Sequence, residues 1–372
     1  MNIAIIAVLL WSSVLTQIAL EGPLNFPEPK SGEFTARSFR FKSGQQMDVR
    51  IHYSTLGTPV RGAQGRVKNA ALILHGTGVS GKYFLGPTFG GQLFCAGCLL
   101  DASKYFIILP DNVGHGDSSK PSDGMRMSFP RYDYDDMVAL QHALLVDIGI
   151  DHLRLVMGTS MGCMHTWLWT ETYPDFMDAA MPLACLPVEI AGRNRIRRKL
   201  QIDGIKADPS WNNGNYKEEP QMALRTVTSL EIIALSTPQE AQRRAPTREL
   251  ADQLVEQRMA EALKTLDAND VLYQWDSSRN YNPEPNLNKI EAPVLAVNFA
   301  DDFVNPPELG ILESEIKHVK RGRAVVIPTS EATLGHTSFN NATLWGNYLQ
   351  ELLQQSGGLV PGTSWSPPIP TR

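Results

Sequence analysis

Six short apolar runs constrain the fold of this 372-residue chain more than any other feature. They lie at residues 70–74, 105–109, 153–157, 177–186, 293–299 and 324–328. Each run reads as a buried strand, and helical patterns lie between them, near residues 132–148, 161–173, 307–320 and 341–355. This alternation predicts an α/β fold with a mostly parallel central sheet and helices on both faces. In such a sheet, ligands bind beyond the carboxyl ends of the strands.

Two stretches of alternating polar and apolar residues precede these runs, at 37–41 and 47–53. Their period of two predicts an opening antiparallel hairpin. The strand–helix rhythm stops between Pro187 and Asn288, where long charged helical patterns replace it, and a strand resumes directly afterwards. We therefore predict a core at 34–186 and 289–356 and an inserted helical cap at 187–288. The alternative is a second, independently folded domain.

Both ends of the chain are predicted to lie outside this core. The first charged residue is Glu21, and residues 3–11 are apolar but shorter than the ~20 residues of a membrane span. Residues 1–20 are therefore predicted to be a signal peptide, which would place the protein in the secretory pathway or periplasm. A membrane anchor or a buried N-terminal helix in a cytoplasmic protein is the alternative. The Pro- and Ser-containing tail, 357–372, is predicted to be disordered.

Composition excludes several classes of partner and cofactor. A net charge of −5 with 20% charged residues gives no basic field for nucleic acid. No H-E-x-x-H or other metal-ligand spacing is present, and no G-x-G-x-x-G opens a helix, so we predict no metal and no bound cofactor. Oligomeric state is left open between monomer and homodimer. Among the four cysteines, Cys95 and Cys98 have the spacing for a bridge, whereas Cys163 and Cys185 read as separate buried thiols.

The strongest chemical signal is the sequence Gly158-Thr159-Ser160-Met161-Gly162. It follows an apolar strand and precedes a helical pattern, the setting of a G-x-S-x-G nucleophile turn. A serine in such a strained turn needs small residues two positions to either side. The following helix N-terminus favours negative charge that develops there. Ser160 is therefore the candidate nucleophile, and an ordinary tight turn is the alternative.

A serine hydroxyl needs a base, and the base needs a group that orients it. On a sheet of this kind these partners follow in the order serine, acid, histidine. Asp301 and Asp302 come directly after the strand at 293–299, and Asp302 is favoured by its spacing to Pro306. His336 follows the last strand and is the predicted base. Both aspartates could instead only cap a helix.

An oxyanion site requires two backbone N–H donors. The first is predicted to be Met161, directly after the nucleophile. The second is expected from the loop His75-Gly76-Thr77-Gly78 that follows the strand at 70–74. We predict the N–H of Thr77.

Beyond these features, the chain resembles the α/β-hydrolase superfamily and, within it, the homoserine O-acetyltransferase-like branch. The resemblance covers residues 34–355. It depends on the nucleophile turn, Tyr173-Pro174-Asp175, residues 302–308 and Gly335-His336-Thr337-Ser338-Phe339. The branch-specific part is the D-P-x-W-x-x-G-x-Y pattern at 208–216. This resemblance implies an α/β-hydrolase fold and a serine that takes an acetyl group from acetyl-CoA and passes it to a hydroxyl.

The chain departs from that branch at two places in the sequence. The usual G-H-D-x-F has Thr337 where the acidic residue stands, which puts recognition of an amino-acid ammonium group in doubt. The segment 187–208 does not align with the branch's N-x-x-x-R stretch, so the resemblance implies no acceptor-binding arginine in this chain. A secretory leader would in addition separate the enzyme from acetyl-CoA and leave water as the acyl acceptor.

These patterns favour a serine hydrolase that cleaves an ester or related acyl bond of a small-molecule substrate. The first alternative is an O-acyltransferase that uses acetyl-CoA as co-substrate. The second is a non-catalytic binding protein of the same fold, against which the complete set of Ser160, Asp302 and His336 argues.

Overall fold

The computed structural model describes residues 25–365, so the predicted signal peptide at 1–20 and the last seven residues lie outside the described part. Eight strands form one sheet in the order β1-β2-β4-β3-β5-β6-β7-β8. The strands are β1 Lys30–Arg40, β2 Gln46–Leu56, β3 Ala70–Leu74, β4 Phe106–Pro110, β5 Leu155–Thr159, β6 Ala180–Leu183, β7 Val294–Phe299 and β8 Gly322–Ile327. The helices are α1 Gly90–Leu93, α2 Tyr134–Asp147, α3 Met161–Thr172, α4 Gly192–Ala207, α5 Gln221–Leu235, α6 Pro238–Arg244, α7 Arg248–Thr265, α8 Ala268–Asp276, α9 Ile311–Glu315 and α10 Gly346–Gln355.

The sheet is antiparallel at one edge and parallel elsewhere. β1 pairs with β2 and β2 with β4 in antiparallel register, while all pairs from β4 to β8 are parallel. The predicted hairpin and mostly parallel sheet are therefore confirmed. The hairpin strand β1 already starts at Lys30, so the core begins before the predicted residue 34.

Both faces of the sheet are covered, which explains why its central strands are continuous apolar runs. Every residue of β3, β4, β5, β6 and β7 is buried. Leu72 and Leu74 face the cluster that contains α2 and α3, whereas Ala71 and Ile73 face the cluster that contains α10. The predicted helix at 307–320 is broken into short turns, because Pro306, Pro307 and the left-handed Gly310 interrupt it.

Residues 357–365 of the tail contact the core, whereas residues 366–372 lie outside the described part, so the disorder predicted for 357–372 stays a prediction. The buried Arg154 donates to the carbonyl oxygens of Leu353, at 2.7 Å, and Gly358, at 3.0 Å. The amide of Trp365 donates to the Gln350 side chain at 2.8 Å. A buried guanidinium requires acceptors, and the tail backbone supplies one of them. Composition alone did not reveal this long-range requirement.

The segment between β6 and β7 forms the helical cap, α4–α8. The D-P-x-W-x-x-G-x-Y pattern shapes its corner: Asp208 accepts from the Ala223 amide at 2.9 Å, and the Trp211 indole donates to the side chain of Asn269 at 2.8 Å. The hydroxyl of Tyr216 accepts from the Asn269 amide at 3.2 Å. The pattern therefore joins the α4–α5 connection to α8, which is a structural role.

Asp270 fastens this cap to the core. Its carboxylate accepts from the amide of Ser122 at 2.9 Å and from the Ser122 hydroxyl at 2.6 Å. Burial is the largest influence on this group and, despite the two hydrogen bonds, raises the pKa of Asp270 to about 7.

We expect Asp270→Asn to reduce the pH dependence of stability. A carboxyl whose folded pKa is raised binds its proton more tightly when folded, so stability is greatest at low pH. In the wild type this contribution is lost as pH rises from about 4 to about 7, and its size is about 4 kcal/mol. Urea unfolding across this pH range measures the difference between variant and wild type. The control is Asp252→Asn, at an exposed position of α7, and an equal pH slope in all three proteins would contradict the prediction.

Candidate active site

Ser160 occupies a strained turn between β5 and α3. Its φ of 53° and ψ of −108° are rare for a residue with a side chain and cost about 1–3 kcal/mol. Its amide donates to the carbonyl of Leu183 at 2.9 Å, which fixes the turn against β6. A Cβ at Gly158 would collide with the carbonyl of Gly162, and a Cβ at Gly162 with that of Leu74. The turn therefore requires glycine at both positions.

His336 lies between Ser160 and Asp302. Its Nε2 is 2.9 Å from the Ser160 Oγ, and its Nδ1 is 2.8 Å from Oδ2 of Asp302. All three side chains come from different connections, after β5, β7 and β8, at the carboxyl edge of the sheet. With Nδ1 donating to the carboxylate, Nε2 is left as the acceptor that faces the serine.

Asp302 is buried and fully hydrogen-bonded. Its Oδ1 accepts from the amides of Val304 at 2.7 Å and Asn305 at 3.2 Å, and its Oδ2 accepts from the Asn305 side chain at 3.1 Å. Burial opposes the charge, but the attraction to His336 and these hydrogen bonds lower the pKa of Asp302 below its ordinary value. Asp302 therefore remains a carboxylate at neutral pH.

Asp301, the alternative acid, does not reach the imidazole. Its Oδ2 accepts from the amide of Gly335 at 3.2 Å, directly before His336. Asp301 thus holds the backbone of the histidine segment, while Asp302 holds its ring. The geometry distinguishes two neighbours that the sequence left as alternatives.

The two predicted oxyanion donors lie beside the nucleophile. Met161 opens α3, so its amide has no acceptor within the helix. The loop with Thr77 passes close to the turn: a Cβ at Gly76 would stand only 3.5 Å from the Cβ of Ser160. Within residues 25–365 the Thr77 amide donates no hydrogen bond. Both amides are thus available to a negative oxygen at Ser160.

Comparisons with known proteins agree with this arrangement. The family model described as alpha/beta hydrolase fold matches residues 72–331. The chain belongs to this family. The α/β-hydrolase fold predicted from its sequence is therefore confirmed.

Curated relatives of this α/β-hydrolase bear acyltransferase names. It is 26% identical to a probable acyltransferase of Methanothermobacter thermautotrophicus, over 87% of the chain and 97% of the relative. It is 28% identical to a homoserine O-acetyltransferase of Desulfotalea psychrophila, over 78% of the chain and 84% of the relative. The predicted likeness to the homoserine O-acetyltransferase-like branch is confirmed.

Solved structures with the same fold include both acyltransferases and esterases. The homoserine O-acetyltransferase of Bacillus anthracis matches with a TM-score of 0.78 and 20% identity, over 90% of this chain and all of that one. Esterase E22 matches with a TM-score of 0.75 and 20% identity, over 88% and 100%. At such identities the likeness concerns the fold.

A buried polar network supports the oxyanion loop of this α/β-hydrolase. His75 Nδ1 donates to the Gly76 carbonyl at 2.8 Å, and its Nε2 accepts from the amide of Asn112 at 3.1 Å. Burial lowers the pKa of His75, in spite of the nearby Asp111, so the ring is neutral. His115 packs against this ring, with 5.1 Å between the two ring centroids, and is itself buried.

The pairing of Cys163 with Cys185 differs from the prediction made from the sequence. Cys163 and Cys185, expected as separate thiols, form a buried disulfide, and Cys95 and Cys98 form the second. Cys163 lies on α3 three residues after Ser160, and Cys185 follows β6. They are 22 residues apart, and only the parallel pairing of β5 with β6 brings them together. No local pattern signals this bond.

Asn305 is a second feature that the sequence did not reveal. Its side-chain NH₂ group donates to the Asp302 carboxylate at 3.1 Å and to the carbonyl of Ala184 at 3.0 Å, next to Cys185. It therefore links the acid to the segment that the disulfide ties to α3. The only sequence feature that points to a role for Asn305 is its position three residues after Asp302.

A cavity of about 500 Å³ opens above Ser160 and His336. The oxyanion loop and Tyr83 line its core side, and helices of the cap line the other. This volume lies within the range of ~300–1,000 Å³ of small-molecule sites. The cap thus encloses the place where a substrate would meet the serine.

Among the described residues, one group has the ligand types and spacing of a metal site: His52, Asp111 and Asp117. Its members already have protein partners, since His52 Nδ1 is 2.9 Å from Asp111 and Asp117 accepts from Lys82 at 2.8 Å. The absence of a metal and a cofactor stays a prediction. No helix within residues 25–365 is long and apolar enough to cross a membrane.

Proposed function

We propose that this α/β-hydrolase is a serine hydrolase that cleaves an ester or related acyl bond through an acyl-enzyme on Ser160. The observation that carries the proposal is the continuous hydrogen-bonded line from Ser160 Oγ through His336 to Asp302. The same three groups perform nucleophilic acyl transfer on unrelated folds, because each step needs one of them.

The proposed first half-reaction forms the acyl-enzyme. Ser160 Oγ attacks the carbonyl carbon while His336 Nε2 takes its proton, and Asp302 stabilises the resulting imidazolium. The amides of Thr77 and Met161 donate to the oxyanion. The carbon–oxygen bond then breaks, and the leaving alcohol takes the proton from His336. In the second half, water gives a proton to His336 while its oxygen attacks the acyl carbon. The bond from that carbon to Ser160 Oγ then breaks, Ser160 takes the proton from His336, and the carboxylic acid leaves.

The residue beside the predicted base argues against an amino-acid acceptor and in this respect supports water. Thr337 lines the cavity and its hydroxyl donates to the Leu334 carbonyl at 2.9 Å, so this position supplies no negative charge for an ammonium group. The alternative, an acyltransferase with acetyl-CoA as co-substrate, is supported by the names of the curated relatives.

One experiment separates the two functions. The purified protein is incubated with p-nitrophenyl acetate, and separately with acetyl-CoA with and without homoserine, while nitrophenol and free thiol are measured. A hydrolase releases nitrophenol without any added alcohol. CoA release that requires homoserine, with no ester hydrolysis, would favour the transferase.

We expect Ser160→Ala to lower kcat/KM by about 10⁵-fold or more and to abolish fluorophosphonate labelling. Ser43→Ala, in the exposed β1–β2 turn, is the matched control and should leave the rate unchanged. Turnover that survives in Ser160→Ala would mean that another group is the nucleophile. An inactive and unlabelled wild type would favour the non-catalytic alternative.

A further inference from the structure

The cavity above Ser160 is walled mainly by hydrocarbon. α5 packs against the turn at 335–340 that carries His336, so this helix is the part of the cap that lies beside the predicted base. Val227 of α5 lines the cavity and is 3% exposed. The further aliphatic wall comprises Ile232, Leu235, Leu254, Val255, Leu266 and Val271.

The charged side chains of the wall cancel one another. Three arginines and three glutamates line the cavity: Arg197, Arg244, Arg258, Glu231, Glu240 and Glu261. Their formal charges sum to zero, so the wall carries no excess charge of one sign that would favour an ionised substrate.

Four of these groups are also paired locally, Arg244 with Glu240 at 3.0 Å and Arg197 with Glu231. Arg197 lies 3.4 Å from Glu231 and stacks over the ring of Trp275 at 5.0 Å. Glu231 also accepts from the side-chain NH₂ group of Gln201 at 2.6 Å. Because its charge is neutralised by Glu231, Arg197 is poorly suited to recognise a substrate carboxylate.

We propose that the cavity takes the uncharged hydrocarbon chain of a medium-length acyl ester, of about octanoyl size, with its carbonyl at Ser160. The proposal rests on the hydrolase function proposed above. An acetyl group would fill only a small part of about 500 Å³. A longer aliphatic chain removes its own surface and that of the aliphatic wall from water, which favours its binding.

The test is a chain-length series of p-nitrophenyl esters from acetate through butyrate and octanoate to palmitate. Each added methylene should raise kcat/KM by about fourfold, equivalent to about 0.8 kcal/mol, until the cavity is full. Octanoate has six methylenes more than acetate, so its ester should exceed the acetate ester by about a thousandfold or more. A rate that is flat or falls from acetate to octanoate would overturn the proposal.

Two variants connect the preference to the wall. Val227→Trp fills the cavity from α5 and Leu254→Trp from α7, and each should lower kcat/KM for octanoate by about tenfold or more while acetate is little affected. Met222→Trp is the control, because Met222 is on the same helix as Val227 but is 67% exposed. If both cavity variants retain the wild-type chain-length profile and melt normally, this cavity does not hold the chain.

A charged ester tests the neutral character of the wall. A p-nitrophenyl ester of succinate should react more slowly than the butyrate ester of similar length. A faster reaction of the succinate ester would overturn the assignment to an uncharged chain.

The results distinguish a failure of the hydrolase proposal from a failure of the substrate proposal. If no ester is hydrolysed in a Ser160-dependent reaction, the hydrolase function is refuted. If the acetate ester is hydrolysed but the octanoate ester reacts no faster, only the substrate class is refuted.

Discussion

Replacement of Asp302 by asparagine is expected to lower kcat by about 10⁴-fold and to leave KM nearly unchanged. Asp302 accepts from the backbone amides of Val304 and Asn305 through Oδ1, so an asparagine would keep its carbonyl oxygen there. Its NH₂ group would then donate to His336 Nδ1 and move the ring proton to Nε2. A protonated Nε2 cannot take the proton of Ser160. Steady-state kinetics with an activated ester measures this loss.

Asp301→Asn is the matched control for this prediction. Asp301 bonds the amide of Gly335 and not the ring, so its replacement should cost about tenfold or less. If Asp301→Asn were the inactive variant and Asp302→Asn retained its rate, the acid would be Asp301. The pair of variants therefore decides between two adjacent carboxylates.

The second large effect is expected from Gly162→Ala, through folding and not through chemistry. The added methyl group would collide with the carbonyl carbon and oxygen of Leu74, in the fully buried strand β3. Neither backbone can retreat, because β3 is paired with β4 on one side and β5 on the other. We expect the free energy of unfolding to fall by about 3 kcal/mol or more.

The control for this variant is Gly62→Ala. At Gly62 the nearest atom to an added Cβ is the carbonyl oxygen of Arg66, at 3.7 Å, which is an ordinary contact. Urea unfolding measured by circular dichroism compares the two variants with the wild type. A Gly162→Ala protein as stable as Gly62→Ala would show that the turn is not held against β3.

Local and periodic features of the chain were predictable from its sequence. The apolar runs at 70–74 and 105–109 correspond to strands β3 and β4, because a strand buried on both faces leaves a continuous signal. Ser160 and His336 were predicted as nucleophile and base because the turn that each occupies has a recognisable composition and a position relative to the strands.

Long-range features were not predictable in the same way. The Cys163–Cys185 bridge depends on β5 and β6 being neighbours, and the contact of Arg154 with the tail depends on where the last helix ends. The choice of Asp302 over Asp301 depends on the direction of two side chains, which spacing does not determine. Each of these features is fixed by the assembled fold and not by any short stretch of residues.

The cap is the connection between two neighbouring parallel strands, and it is much longer than the connections between the other parallel neighbours of the sheet. β6 ends at Leu183 and β7 starts at Val294, yet the two strands pair directly. Closing so long a connection costs little more free energy than closing a short one, because the entropic cost grows only with the logarithm of its length. Ser160, the proposed nucleophile, precedes this connection, and Asp302 and His336 follow it. A change in the cap would therefore alter the cavity above Ser160 without altering these three residues.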